Sequence, residues 1–324
     1  VAIGFEAYKN GSASHTIAIG MEALESVTTS DGNIAVGTQA LQNCVTYQNT
    51  AIGYRAGKNA TSGPRNIAIG VDAMFNSSTS KSLTGDHNIA LGYQAAVNIE
   101  SGTHNLAIGN EAGYSITSGD YCLGIGNQAR PGSTGDRNIS IGSLSGSNVT
   151  TGNDNINMGL FSGYSQTSAN SNVTIGREAG RYITSGEENI CLGYQAGSSI
   201  NGGSGNIILG KNADVASAGE NNACVIGSTN LENFRVPGCG GFNIDTNGHV
   251  LPGSNNASNL GSSSYRWANV YVNDLQLSNE AKKDEGGNDV DGTWGDWTLQ
   301  EGEHKIYMIN NRTGKKYSLK MEEE

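Results

Sequence analysis

A glycine that follows an aliphatic residue returns through most of this chain, at Gly4, Gly20, Gly37, Gly53, Gly70, Gly92, Gly109, Gly126, Gly142, Gly159, Gly176, Gly193, Gly210 and Gly227. The 14 copies stand 16 or 17 residues apart, except for a step of 22 between Gly70 and Gly92, where Ser77 to Ser82 reads as a longer loop. The residue just before each glycine is aliphatic or Met in all 14 copies, and the residue two places earlier is aliphatic apart from Thr50 and Cys224. Between them stands a small residue in most copies, Ala in the first seven. Alternation of this kind is strand periodicity, with the two aliphatic positions on one face and the small one on the other.

Asn precedes the glycine by four residues in 10 of the 13 copies where that position exists, among them Asn33, Asn66, Asn155 and Asn206. In stacked coils these amides lie above one another and can hydrogen-bond along the stack. Ala follows the glycine by three residues in 11 of 14 copies, a position suited to a second short strand or a tight corner. Turn chemistry fills the rest of each period, as in Thr117-Ser118-Gly119-Asp120. The expectation is an all-β fold, a parallel β-roll or β-solenoid of about 14 coils in residues 1–230, with room for two strands of about five residues per coil. Its interior is expected to be a thin layer of the aliphatic side chains, with the small face of the strand left for close packing against neighbouring chains.

Composition supports a solenoid over ordinary globular cores. Only 36% of the 324 residues are hydrophobic and 6% aromatic, yet 15% charged is too few for a disordered chain. A net charge of −11 disfavours nucleic acid and anionic membranes as partners. There is no apolar run of membrane-spanning length. The first residues, Val1-Ala2-Ile3-Gly4, fall inside a repeat, so the sequence reads as part of a longer protein. Cysteines at 44, 122, 191, 224 and 239 lack metal-site spacing and read as small thiols of the interior.

The run Asn49-Thr50-Ala51-Ile52-Gly53-Tyr54-Arg55-Ala56-Gly57, and its counterpart from Asn105 to Gly113, resembles the head repeats of trimeric autotransporter adhesins; similar repeats occur in phage tail fibres. The resemblance implies a left-handed parallel β-roll with three chains side by side. Farther on, the segment from Asn259 to Leu275 resembles one near the distal end of phage tail fibres and tailspikes, and the ending from Thr293 is similar to the short terminal domains of cyanophage tail fibres. The chain ends on Lys320-Met321-Glu322-Glu323-Glu324 without the coiled-coil stalk and membrane strands of the adhesins.

Four segments follow: the roll at 1–230, a β-rich transition or trimerisation segment at 231–278, a Gly- and acid-rich linker at 279–292, and a tip domain at 293–324 with a hairpin turning at Asn310 to Gly314. The resemblance implies the receptor-binding part of a homotrimeric phage tail fibre, carried on the virion outside the cell. Its expected partners are two further copies, other tail proteins, and a host surface glycan or outer-membrane receptor. An adhesin head and a glycan-degrading tailspike are the alternatives.

Trp294, Trp297, Tyr307 and Arg312 are the candidate receptor contacts, since aromatic faces and Arg bind sugars and protein surfaces well. Acidic residues such as Asp86, Asp120, Asp154 and Glu187 scatter over turn positions, so no catalytic pair and no enzyme is expected. His15, His87 and His104 share one phase, five residues before the glycine, where equal phase in a trimer would allow a metal or anion site. Gln, Arg, Tyr, Asp and Glu occupy the same phase elsewhere, which reads as exposed surface, and no metal or cofactor is expected.

Overall fold

The computed structural model describes residues 1–76, 83–228, 234–236, 242–244, 249–251, 260, 264, 267–278 and 293–319. Two compact units divide the chain, Val1–Asn230 and Leu231–Glu324. The 77–82 loop and the 279–292 linker lie outside the described residues.

The first unit is a parallel β-solenoid. Fourteen short strands, from β1 (Ala2–Ile3) to β14 (Cys224–Ile226), form one sheet in chain order, and residues of equal phase pair across it, as in Ala18 with Ala35 and Ile108 with Ile125. Each coil contributes one strand of two or three residues, not two strands of five. The Ala three residues after the glycine, read as a second short strand or a tight corner, is the corner, in a turn closed by its own N–H on the glycine carbonyl, as in Ala112 to Gly109 at 3.4 Å.

Left-handed backbone explains the turns. Among the described residues, 29 non-glycine residues have φ between 48° and 60°, all of them two or four residues after the repeat glycine or five before it. At each phase the turned peptide aims its N–H at a neighbouring coil. Glu111 N–H reaches Tyr93 O at 2.8 Å, Gly113 N–H reaches Ala129 O at 2.8 Å, and Tyr121 N–H reaches Thr103 O at 3.0 Å. The strain of a left-handed residue, about 1–2 kcal/mol, is thereby offset by hydrogen bonds that exist only when coils stack.

The faces of the strand are reversed from the sequence expectation. The small central residues point inward, with Ala18, Ala35, Ala51, Ala90 and Ala107 all 0% exposed. The flanking aliphatics point outward: Ile19, Ile52, Ile69, Ile175 and Ile207 are 36–41% exposed. Space inside decides this. A Cβ on Gly113 would lie 2.9 Å from Ala107 Cβ and 3.0 Å from Ile116 Cδ1, so the coil is too narrow there for anything larger than Ala at the strand centre. Core bulk comes from residues after the glycine, such as Leu24, Leu41, Met74, Ile116, Ile183 and Ile200.

The asparagine stack forms as expected. Oδ1 of each amide accepts the backbone N–H of the same phase one coil on, as in Asn138 to Asn155 at 2.9 Å and Asn172 to Asn189 at 2.9 Å. Nδ2 donates to a turn carbonyl, as in Asn155 to Ala169 O at 2.7 Å. These side chains are buried with their polar atoms satisfied, as burial requires.

The second unit holds two antiparallel sheets: β15 (Phe234–Val236), β16 (Phe242–Ile244) and β17 (Val250–Leu251) in one, and β18 (Asp274–Ser278), β19 (Asp296–Glu301), β20 (Ile306–Asn310) and β21 (Lys316–Ser318) in the other. The hairpin read from the sequence is β20–β21. β18, from the segment 231–278, pairs along its whole length with β19.

The repeat glycine itself is irreplaceable. Gly109 has φ +132°, and a Cβ there would lie 2.6 Å from Gly126 O. Gly109→Ala is expected to cost roughly 2–5 kcal/mol of stability, from an unfavourable φ and an overpacked contact. Gly219→Ala, where a Cβ meets nothing within 4 Å, serves as the control in denaturant titrations and is expected to be near neutral; equal effects at the two positions would contradict the stacking account.

Candidate functional site

Three surfaces stand out among the described residues. The first is the outward aliphatic row of the solenoid. It is broadened by the residue after the glycine, where Phe5, Met21, Tyr54, Val71, Tyr93, Leu160 and Tyr194 are exposed. The row contains 26 aliphatic or Met side chains at its two strand positions.

The second surface is the row five residues before the glycine. Gln48, Arg65, His87, His104 and Tyr121 follow one another there, all left-handed. The three rings stack, with centroids 4.8 Å apart for His87 and His104 and 4.9 Å apart for His104 and Tyr121. Arg65 Nε donates to Gln48 Oε1 at 3.1 Å, and its Nη1 lies 3.4 Å from His87 Nε2. Farther along, Arg137 grips Asp154 with two hydrogen bonds, which hold that carboxyl below the usual carboxylate range. The rings present edges, not faces, to solvent, so the row offers hydrogen-bonding atoms at coil spacing.

Beside it runs a second stack, six residues before the glycine, with polarity opposite to that of the asparagines. Apart from Asp86, each Asp or Asn side chain accepts the N–H of the same phase one coil earlier: Asp31 from Ser14, Asp120 from Thr103, Asp136 from Asp120, Asn153 from Asp136, Asn170 from Asn153, and Asn221 from Ser204. Asp120, one of the acids that looked scattered in the sequence, therefore helps hold coil edges in register, together with Asp31 and Asp136.

The third surface is the terminal four-stranded sheet. Cross-strand register puts Leu275, Leu277, Trp297, Leu299, Met308 and Tyr317 on one face. Leu275, Leu277 and Tyr317 are exposed. Of the four candidate receptor contacts, Arg312 and Trp294 come together, with the guanidinium 3.8 Å from the ring centroid and Nη1 donating to Trp294 O at 2.9 Å. Trp297 lies on the apolar face, 5.7 Å from the Tyr317 ring. Tyr307 projects from the opposite face, since it pairs with Gln300. The four do not form one cluster.

Sequence reading missed the direction of the aliphatic row and the cluster that Asp86 makes with His87 and His104. Pro64, which lacks an N–H, was the available signal for the cluster. No protein-family model, curated protein or solved structure matches the chain.

Three of the thiols, Cys44, Cys122 and Cys191, are buried and inert in this fold, whereas Cys224, expected in the interior, is exposed, and Cys239 lies outside the described residues. Burial pushes Cys44 and Cys122 up to about 11 and Cys191 up to about 12. At neutral pH almost no thiolate exists at these positions. Alkylation mapped by mass spectrometry is expected to leave Cys44, Cys122 and Cys191 unmodified in the native chain and to modify them in denaturant; native labelling of Cys191 would contradict the buried interior.

Proposed function

We propose that the chain is a structural and receptor-binding part of a homotrimeric attachment fibre of the phage tail-fibre type, acting outside the cell. The observation that carries this reading is the aliphatic row, which a single chain leaves facing water along the full length of the first unit. Covering a third of an Ile side chain contributes about 0.5–1 kcal/mol. Nine of the aliphatic strand positions are at least 36% exposed, and together with the seven exposed residues that follow the glycines they supply a gain of the same order as an association cost of about 4–15 kcal/mol. The row is continuous because every coil presents the same two positions, so the partner it fits best is an equally long, equally periodic apolar strip: further copies of the same chain.

The apolar face of the terminal sheet supports the same reading, since a lone four-stranded sheet with Leu275 and Leu277 in water gains by being covered. In the proposed fibre the aliphatic rows of three chains face one another, while the polar rows and the Trp294–Arg312 pair remain available to a host surface glycan or outer-membrane receptor. Several weak contacts then act together through multivalency.

Light scattering at several dilutions tests the basis of the proposal. A constant mass of three times 33.6 kDa is expected, and Ile69→Asp with Ile175→Asp, both on the outward row, should yield a monomer with unchanged circular dichroism. A monomeric wild-type chain overturns the fibre reading. For attachment, the labelled trimer is expected to bind intact bacterial cells of a host panel and to lose binding on Trp294→Ala with Arg312→Ala.

A further inference from the structure

Asp86 breaks the stack of acids and amides in a specific way. Every other Asp or Asn of its phase accepts a backbone N–H from the coil before, but the residue that would donate to Asp86 is Pro64, which has none. Its carboxylate is thereby left facing the ring row. Asp86 Oδ2 lies 3.4 Å from His87 Nδ1, and that nitrogen is buried without a hydrogen bond. His104 is fixed next to both, through its stack on His87 and through its N–H on Asp86 O at 3.1 Å. One ligand atom from each of the three residues falls within 4.8 Å of the others.

We propose that Asp86, His87 and His104 form a surface site for a divalent transition metal, with two imidazoles and one carboxylate as ligands and the remaining positions open to water or to an anionic group of a partner. The donor set suits zinc and its neighbours, which accept nitrogen and carboxylate oxygen together. Bonds of about 2.0–2.1 Å at tetrahedral angles require donors about 3.3 Å apart. The stacked rings, only 10° from parallel, therefore turn out of their stack as the metal enters. Metal on His87 Nδ1 leaves the proton on Nε2, so Arg65 gives up that nitrogen and keeps Gln48 Oε1. The tolerance of this phase for other residues argues against a function for the whole row. It does not bear on a single pair of coils where Pro64, Asp86, His87 and His104 coincide.

Zinc chloride titrated calorimetrically into the whole chain tests the site, in a Cys224→Ser, Cys239→Ser background that removes competing thiols. One zinc per chain is expected. His87→Asn and His104→Asn keep the left-handed backbone, since Asn222 occupies the same phase with φ 57°, and each should weaken binding by at least about tenfold. His15→Asn and His304→Asn should leave it unchanged. Pro64→Ala keeps all three ligands and restores the missing donor; it should weaken binding roughly tenfold by recapturing Asp86. Thermal melts without metal show whether each variant is folded. Absence of binding in the parent, or binding undiminished in the folded His87→Asn, His104→Asn double variant, overturns the site. Undiminished binding in Pro64→Ala overturns the role of Asp86.

Discussion

In the repeat glycines, backbone meets backbone: the carbonyl of Gly126 occupies the space where a side chain on Gly109 would begin, and the carbonyl of Gly20 does the same to Gly4. This close approach holds successive coils at strand spacing. At that spacing the asparagine amides bridge coil to coil in one direction, the acids and amides two residues earlier bridge in the other, and the left-handed N–H groups find carbonyls above or below. A single Cβ in the glycine column separates two coils and loosens all three sets at once.

Left-handed residues make the fold dependent on its own repetition. Glu111, Tyr121, Gln128 and Arg137 have side chains with no particular liking for positive φ, and an isolated coil would relax them. Stacking reverses the balance because each turned peptide donates along the axis, as Gln128 does to Asn110 O at 2.9 Å and Arg137 to Asp120 O at 2.9 Å. Strain is local and its relief comes only from the neighbouring coil, so stability behaves as a sum over interfaces between coils.

Much of this was legible in the sequence and some of it could not have been. The glycine phase located all 14 strands, and the recurrence of Asn announced the amide stack. Alternation of Ile, Ala and Ile establishes that two positions face one way and one the other, but it is silent on which way is in. Here the answer lay in Ala112, Gly113 and Ile116, whose sizes leave room only for a small strand centre. The left-handed positions were hidden because most of them hold Arg, Glu, Gln, Leu or Tyr, which carry no left-handed signature, unlike glycine. Trp297 and Tyr307 looked like members of one group, and only the pairing of Trp297 with Asn310 and of Tyr307 with Gln300 puts them on opposite faces.

Departures from the consensus have their own physical role. Coils of identical cross-section would pack equally well against any other, so nothing in an all-Ala strand centre specifies which coil follows which. The interior changes character where Ser140, Asn157 and Thr174 occupy that centre, between two apolar clusters. Thr174 Oγ1 and Asn157 Oδ1 are 2.6 Å apart, Asn157 Nδ2 donates to Gln166 Oε1 at 2.9 Å, and Ser162 Oγ donates to Thr174 O at 2.7 Å. A slip by one coil would set the Asn157 amide against an apolar neighbour at about 1–3 kcal/mol for each group left unpaired. Leu41 and Gly57 act likewise by volume, the leucine filling the space that the glycine one coil on leaves. The consensus gives every coil the same outline, and these exceptions give particular coils a preferred neighbour, which is what a long repeat needs to reach one register instead of many.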